Sequence, residues 1–187
     1  MVKRITAPLT GEVARALRAG DACLLSGVIY AARDAAHARL CALLREGKPL
    51  PFDVRGSVLY YVGPTPAPEG RAIGSAGPTT SYRMDAYSPA LVAAGSLGMI
   101  GKGTRGEEVV CALREHGAVY FAATGGLGAL YSHCITASET VAYPELGPEA
   151  ILRLTVRDMP LTVAIDSRGE SIYELGPRRY LEFVNKT

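Results

Sequence analysis

Strand-like apolar runs alternate with helix-patterned segments along most of this chain, and that alternation limits the fold more than any other feature. Cys23 to Tyr30 reads as an apolar strand, and Asp34 to Glu46 follows as a helix with Ala35, Ala38, Leu40, Leu43 and Leu44 apolar, stopped at Gly47. Ser57 to Val62 reads as a buried strand, Met84 to Ala94 as a helix, and Gly98 to Gly103 as a strand and turn. Gly106 to His116, Ala118 to Ala123 and Ala129 to Ile135 then read as helix, strand and helix. Strands alternating with helices predict an α/β fold. Earlier, Leu9 to Gly20 gives a short helix signal with Thr10 as N-cap. In the tail, Ile151 to Val156 and Leu161 to Asp166 are predicted as two strands, and Arg178 to Val184 as an edge element. The proline- and glycine-rich stretch from Pro64 to Gly77 is a loop, and loops of that length inside a domain are often functional.

A chain of 187 residues with 48% apolar and 20% charged residues is read as one domain, 1–187, able to bury a proper core. Lys and Arg number 20 against 18 Asp and Glu, with no basic run, so nucleic acid is not an expected partner. No apolar run reaches bilayer-spanning length, and Met1-Val2-Lys3-Arg4 is not followed by the apolar core of a signal peptide. No membrane partner and a cytoplasmic location are expected. Cys23, Cys41, Cys111 and Cys134 lack close pairing and are read as reduced core cysteines, not as a metal site.

Four stretches carry candidate chemistry. Gly77-Pro78-Thr79-Thr80-Ser81-Tyr82-Arg83-Met84-Asp85 gathers hydroxyls, a guanidinium and a carboxylate at an expected helix start. Thr79 or Thr80 would cap that helix, and Thr79 and Arg83 would share a face beside free backbone N–H groups, a set suited to a carboxylate ligand. The alternative is a capped helix whose Arg83 and Asp85 face water. Arg33 ends an apolar strand, where ligands bind in open α/β sheets. It either forks a carboxylate, or pairs with Asp34 or caps a neighbouring element. Asp34 is read as the N-cap of the helix that follows, and His37 as a buried histidine with at most a supporting role. Lys102 lies between glycines in Gly101-Lys102-Gly103-Thr104-Arg105-Gly106, without the spacing of a P-loop; it is a ligand contact or a solvated turn lysine. Thr124-Gly125-Gly126-Leu127-Gly128 joins a strand to a helix and is explained equally by close packing. No Ser/His/Asp set and no paired acids stand out. The residues read as half of an active site.

With those residues in place, the chain resembles the β subunit, or C-terminal domain, of the iron–sulfur hydro-lyases, the class I fumarate hydratases and L(+)-tartrate dehydratases. Gly-Pro-Thr-Thr-x-x-Arg-Met-Asp at 77–85 is the specific signature. Leu25 to Tyr30, Arg33 to His37, Tyr61 to Pro64, Ile100 to Gly103, Gly125-Gly126, Ala142 to Gly147 and Ile151 to Pro160 extend it. Gly128 and the Pro64 to Pro68 loop depart from the family's usual pattern. The resemblance implies a swivelling β/β/α domain, fumarase C-terminal-domain-like. It implies a partner α subunit carrying a [4Fe–4S] cluster, in an α2β2 assembly, with no metal bound by this chain alone. It further implies that Arg33, Thr79, Arg83 and Lys102 contact a small dicarboxylate, with Thr79 the proton-transfer residue and Asp34, His37, Asp85, Gly125 and Gly126 in support. The implied reaction is reversible hydration of fumarate to L-malate. A tartrate dehydratase β subunit and a non-catalytic organic-acid-binding module are the alternatives.

Overall fold

A computed structural model describes residues 1–185. Seven strands form one sheet: β1 (Lys3–Ala7), β2 (Ala22–Ala31), β3 (Val58–Tyr60), β4 (Gly98–Gly101), β5 (Val119–Ala122), β6 (Ile135–Ala142) and β7 (Ile151–Ile165). The helices are α1 (Gly11–Ala16), α2 (Asp34–Arg45), α3 (Ser88–Ala93), α4 (Glu107–His116), α5 (Gly128–Cys134) and α6 (Ile172–Val184). The sheet closes on itself. β2, β3, β4 and β5 run parallel in that order, and β7 lies antiparallel to both β5 and β2. β1 and β6 extend the ring beside β2 and β7. This is the expected α/β class, and it is compatible with the β/β/α domain that the resemblance implied.

Period-two alternation decides which side chains fill the ring. Val58, Tyr60 and Val62 point into one core with Ile100, Val119 and Phe121, while Leu59, Tyr61, Met99 and Tyr120 point into a second. The second core also takes Ala36 and Leu40 of α2, Leu91 and Val92 of α3, and Val109 and Leu113 of α4. Strands covered on both faces explain why these segments read as continuous apolar runs.

The tail corrects the sequence reading. Ile151 to Ile165 is a single strand, not two, and β6, like β1, escapes that reading because its burial is partial and uneven. Pro160 and Asp158 interrupt the β pattern for a structural reason. Arg157 and Asp158 stand opposite Ser26 alone, so β7 bulges there; Asp158 takes φ 48° and its N–H donates to Ser26 Oγ at 3.0 Å. Pro160 lies where one edge of β7 has left β6 and not yet reached β5, so a missing N–H costs least. Arg178 to Val184 belongs to a helix rather than a sheet edge. Likewise, Cys111 is exposed and Cys134 half-exposed, so only Cys23 and Cys41 are core cysteines.

Facing that bulge, Gly27 has φ +107°, and a Cβ there would stand 2.2 Å from the Ala7 carbonyl oxygen. Only glycine lets β1 and β2 approach at this turn. His37 is fully buried on α2; its ring lies edge-on to Tyr61, and its Nδ1–H donates to the Arg33 carbonyl at 3.2 Å. Burial pushes its pKa down from 6.5 to about 4.

These two packing sites are open to direct test. Gly27→Ala is expected to cost about 3 kcal/mol or more in urea denaturation, against about 1 kcal/mol for Gly47→Ala. Gly47 also has positive φ but open space around it; equal costs would refute the contact at Gly27. Below pH 6.5 the unfolded chain binds a proton at His37 that the folded chain refuses, so this part of the stability is complete above 6.5 and is lost as pH falls toward 4. Between pH 7 and pH 5 the loss should be about 2 kcal/mol, and His37→Leu should remove that slope.

Candidate functional site

Of the five parallel strands, β2 to β5 end on one rim of the ring, and every residue singled out for ligand contact lies in a segment that leaves one of those carboxyl ends. Arg33 follows β2, the segment from Gly63 to Thr80 follows β3, Lys102 follows β4, and Gly125 follows β5. Brought to one rim, they converge as in other sheets whose parallel strands end together.

Thr79 reaches its place by strand pairing, not by helix capping. Its N–H donates to the Tyr61 carbonyl at 2.8 Å, and its own carbonyl accepts from Lys102 N–H at 3.3 Å. Ser81 N–H donates to the Lys102 carbonyl at 3.0 Å, so this stretch threads between the ends of β3 and β4. The predicted continuous helix from Thr79 to Ala94 is therefore broken: a 3₁₀ turn spans Ser81–Met84 and α3 starts only at Ser88. Thr79 and Arg83 still meet, with Arg83 Nη2 donating to Thr79 Oγ1 at 2.7 Å.

Both arginines are held by carboxylates of the chain itself. Arg83 Nη2 lies 3.1 Å from Asp34 Oδ2, and Arg33 Nη2 lies 3.0 Å from Glu149 Oε1. Asp34 is the first residue of α2 and not its cap. Arg33 occupies the cap position without a side-chain bond, and Glu149 Oε2 accepts from Ala35 N–H at 2.9 Å instead. Each pair is between a quarter and two-fifths exposed, so it adds little stability, about 0–1 kcal/mol. What the pairs fix is the direction of each guanidinium. Arg33 lies flat on the Gly63 backbone, where a Cβ would fall 2.7 Å from its Cζ, and its buried Nε has no hydrogen-bond partner.

Lys102 is exposed and runs along Gly125, whose added Cβ would lie 3.5 Å from the lysine Cδ. Gly126 has φ +84° at the tip of the same loop. A Cβ on Gly128 would meet Ser75 Oγ at 2.3 Å and the Gly77 amide at 3.0 Å, which gives this departure from the family pattern a local packing reason.

Not every expected residue stands on the rim. His37 lies in the core beneath Arg33. Asp85 is only partly exposed and is engaged by the chain itself: its Oδ1 accepts from Arg105 Nε at 2.6 Å and its Oδ2 from Gly106 N–H at 2.6 Å. Glu149 and Arg105 hold residues of the candidate site by ion pairs that sequence reasoning misses. Arg105 stands inside the glycine run around Lys102, but nothing local marks it as buried. Glu149 is 116 residues from its partner Arg33 and carries no local signal. Among the described residues, no group of three or more His, Cys, Asp or Glu stands close enough to hold a metal ion, and no helix is long and apolar enough to cross a membrane.

Comparison with known proteins places these residues in a lineage. A family model described as Fumarase C-terminus matches residues 2–176. The class I aerobic fumarate hydratase of Escherichia coli K12 is 41% identical over 152 residues, covering 80% of this chain and 28% of that protein. Fumarate hydratase 2 of Leishmania major is 38% identical over 156 residues, with 82% and 28% covered. A Methanocaldococcus jannaschii protein provisionally named L(+)-tartrate dehydratase subunit beta is 36% identical over 184 residues, covering 95% of this chain and 94% of its own length. The chain thus spans little more than a quarter of the fumarate hydratases it matches, yet nearly all of the tartrate dehydratase relative. By the family model and by these identities, the chain belongs to the fumarase C-terminal domain family.

Proposed function

We propose that this chain supplies the dicarboxylate-binding half of a fumarate hydratase site, completed by a partner that carries a [4Fe–4S] cluster. The observation that carries the reading is the set of three cations, Arg33, Arg83 and Lys102, brought to one rim around Thr79. Guanidinium forks match carboxylates, and a single lysine adds charge without directional demand. Arg33 is partly exposed, which leaves its guanidinium open to a ligand carboxylate. Asp34 and Glu149 hold the forks ready until such a ligand competes for them.

Thr79 is the proton-transfer residue in this proposal. A threonine hydroxyl is a very weak acid, so its oxygen is a poor base unaided. Arg83, donating at 2.7 Å, favours the electron-rich oxygen. Proton removal next to a carboxylate leaves carbanion-like charge, and Lys102 with the two arginines lowers its energy. Cluster binding and the chemistry at the hydroxyl are assigned to the partner in this proposal. The M. jannaschii relative, named as a subunit and matching this chain end to end, supports a separate partner chain, for which α2β2 is the proposed assembly. The same relative favours tartrate as a second reading of the substrate. Four cysteines outside any disulfide fit a reducing compartment, and the cytoplasm is proposed.

The full chain alone should bind L-malate in calorimetry at millimolar concentration and produce no fumarate. No heat up to about 10 mM, a free energy near −3 kcal/mol, would sink the reading. With its partner, Arg83→Ala should lower kcat/KM about 100-fold or more, and Thr79→Val should lower kcat with little change in KM. Full activity in either variant removes that residue from the site. Parallel assays with fumarate and L(+)-tartrate decide between the two substrates.

A further inference from the structure

Arg105 is not one of the ligand-facing cations. Its side chain has no exposed surface, whereas Asp85, its ion-pair partner, is partly exposed. A buried guanidinium is costly unless its donors are well satisfied, and these are spread over several elements. Nε donates to Asp85 Oδ1 at 2.6 Å, Nη2 to Ser88 Oγ at 2.7 Å, and Nη1 faces Met99 Sδ at 3.6 Å. The Cζ stands 5.3 Å from the Tyr61 ring centre and 5.0 Å from that of Tyr120, and both ring faces favour a cation.

These contacts meet beneath the rim. Tyr61 follows β3, Met99 lies in β4 and Tyr120 in β5, so one side chain touches residues of three neighbouring strands whose loops carry the site. Asp85 closes the segment that holds Thr79 and Arg83. Its second oxygen takes the Gly106 N–H of the loop that holds Lys102. Tyr120 Oη reinforces the link, 2.9 Å from Ser81 Oγ and 3.0 Å from the Gly103 carbonyl. The backbone ladder between Thr79, Ser81 and Lys102 joins the same two loops at their other end.

We propose that Arg105 is a positioning residue, clamping the Thr79–Asp85 segment to the Gly101–Gly106 loop and so holding Arg83 and Lys102 in register. Its purpose rests on the dicarboxylate reading of the site. A lysine keeps the charge but loses the fork that reaches Asp85 and Ser88 together.

Amide hydrogen exchange on the full chain, with L-malate calorimetry beside it, tests this. In Arg105→Lys the amides of Ser81, Lys102 and Gly106 should exchange about tenfold faster or more, while those of the β2–β7 pair keep their wild-type rates. L-Malate affinity should fall about tenfold or more. The double variant Arg105→Met/Asp85→Asn, which leaves no unpaired buried charge, should show the same signature in a chain that stays folded. Unchanged loop exchange and affinity in a folded variant would overturn the proposal. A rise spread evenly over the β2–β7 pair would also overturn it, making Arg105 a stability residue only. Local loosening in a protein whose wild type binds no L-malate would support the clamp and overturn the dicarboxylate reading.

Discussion

The antiparallel pairing of β2 with β7 is the constraint on which the rest of the molecule depends. β7 lies along nearly the whole of β2, while its other edge serves first β6 and then β5. β2 in turn serves β1 and then β3 on its far edge. That double duty turns an open sheet into a ring and, among the described residues, leaves unpaired outer edges on β1 and β6. The bulge at Arg157 and Asp158, set against Ser26 and the bare α-carbon of Gly27, bends both strands at the same level. With the ring closed, β2 to β5 end side by side, and the segment that leaves each strand decides what the rim can bind.

Those segments build a wall of cations already engaged with their own chain. Arg33 and Arg83 point where they do because Glu149 and Asp34 hold them, at modest energy in this half-exposed setting. Ordering a long side chain before its ligand arrives lowers the entropy lost on binding. Glu149 does a second job by closing the first turn of α2, so the direction of Arg33 is tied to the start of that helix.

Fold class is legible in the sequence because the ring strands are covered on both faces and so stand out as apolar runs between helices. β6 is not, because a strand at the ring's outer edge is only partly buried and has little apolar pattern. β7 reads as two strands because Pro160 and Asp158 look like a break, and only its changing partners explain how one strand carries them. At the site, Arg33, Thr79, Arg83 and Lys102 are visible as short-range motifs. For Thr79 the sequence suggests a helix cap, whereas its place comes from the ends of β3 and β4. Glu149 and Arg105 act through residues distant in sequence, and a buried role leaves no local mark on an arginine.

Position along the chain gives β7 a further consequence, one that concerns time. All four rim residues have been synthesised by residue 102, but the strand that closes the ring spans Ile151–Ile165. Contacts of such separation form slowly, because the intervening chain must be ordered before they return any free energy. A growing chain therefore carries these four residues well before it has a rim to place them on. The candidate site is assembled late in synthesis, by a strand that supplies none of the four.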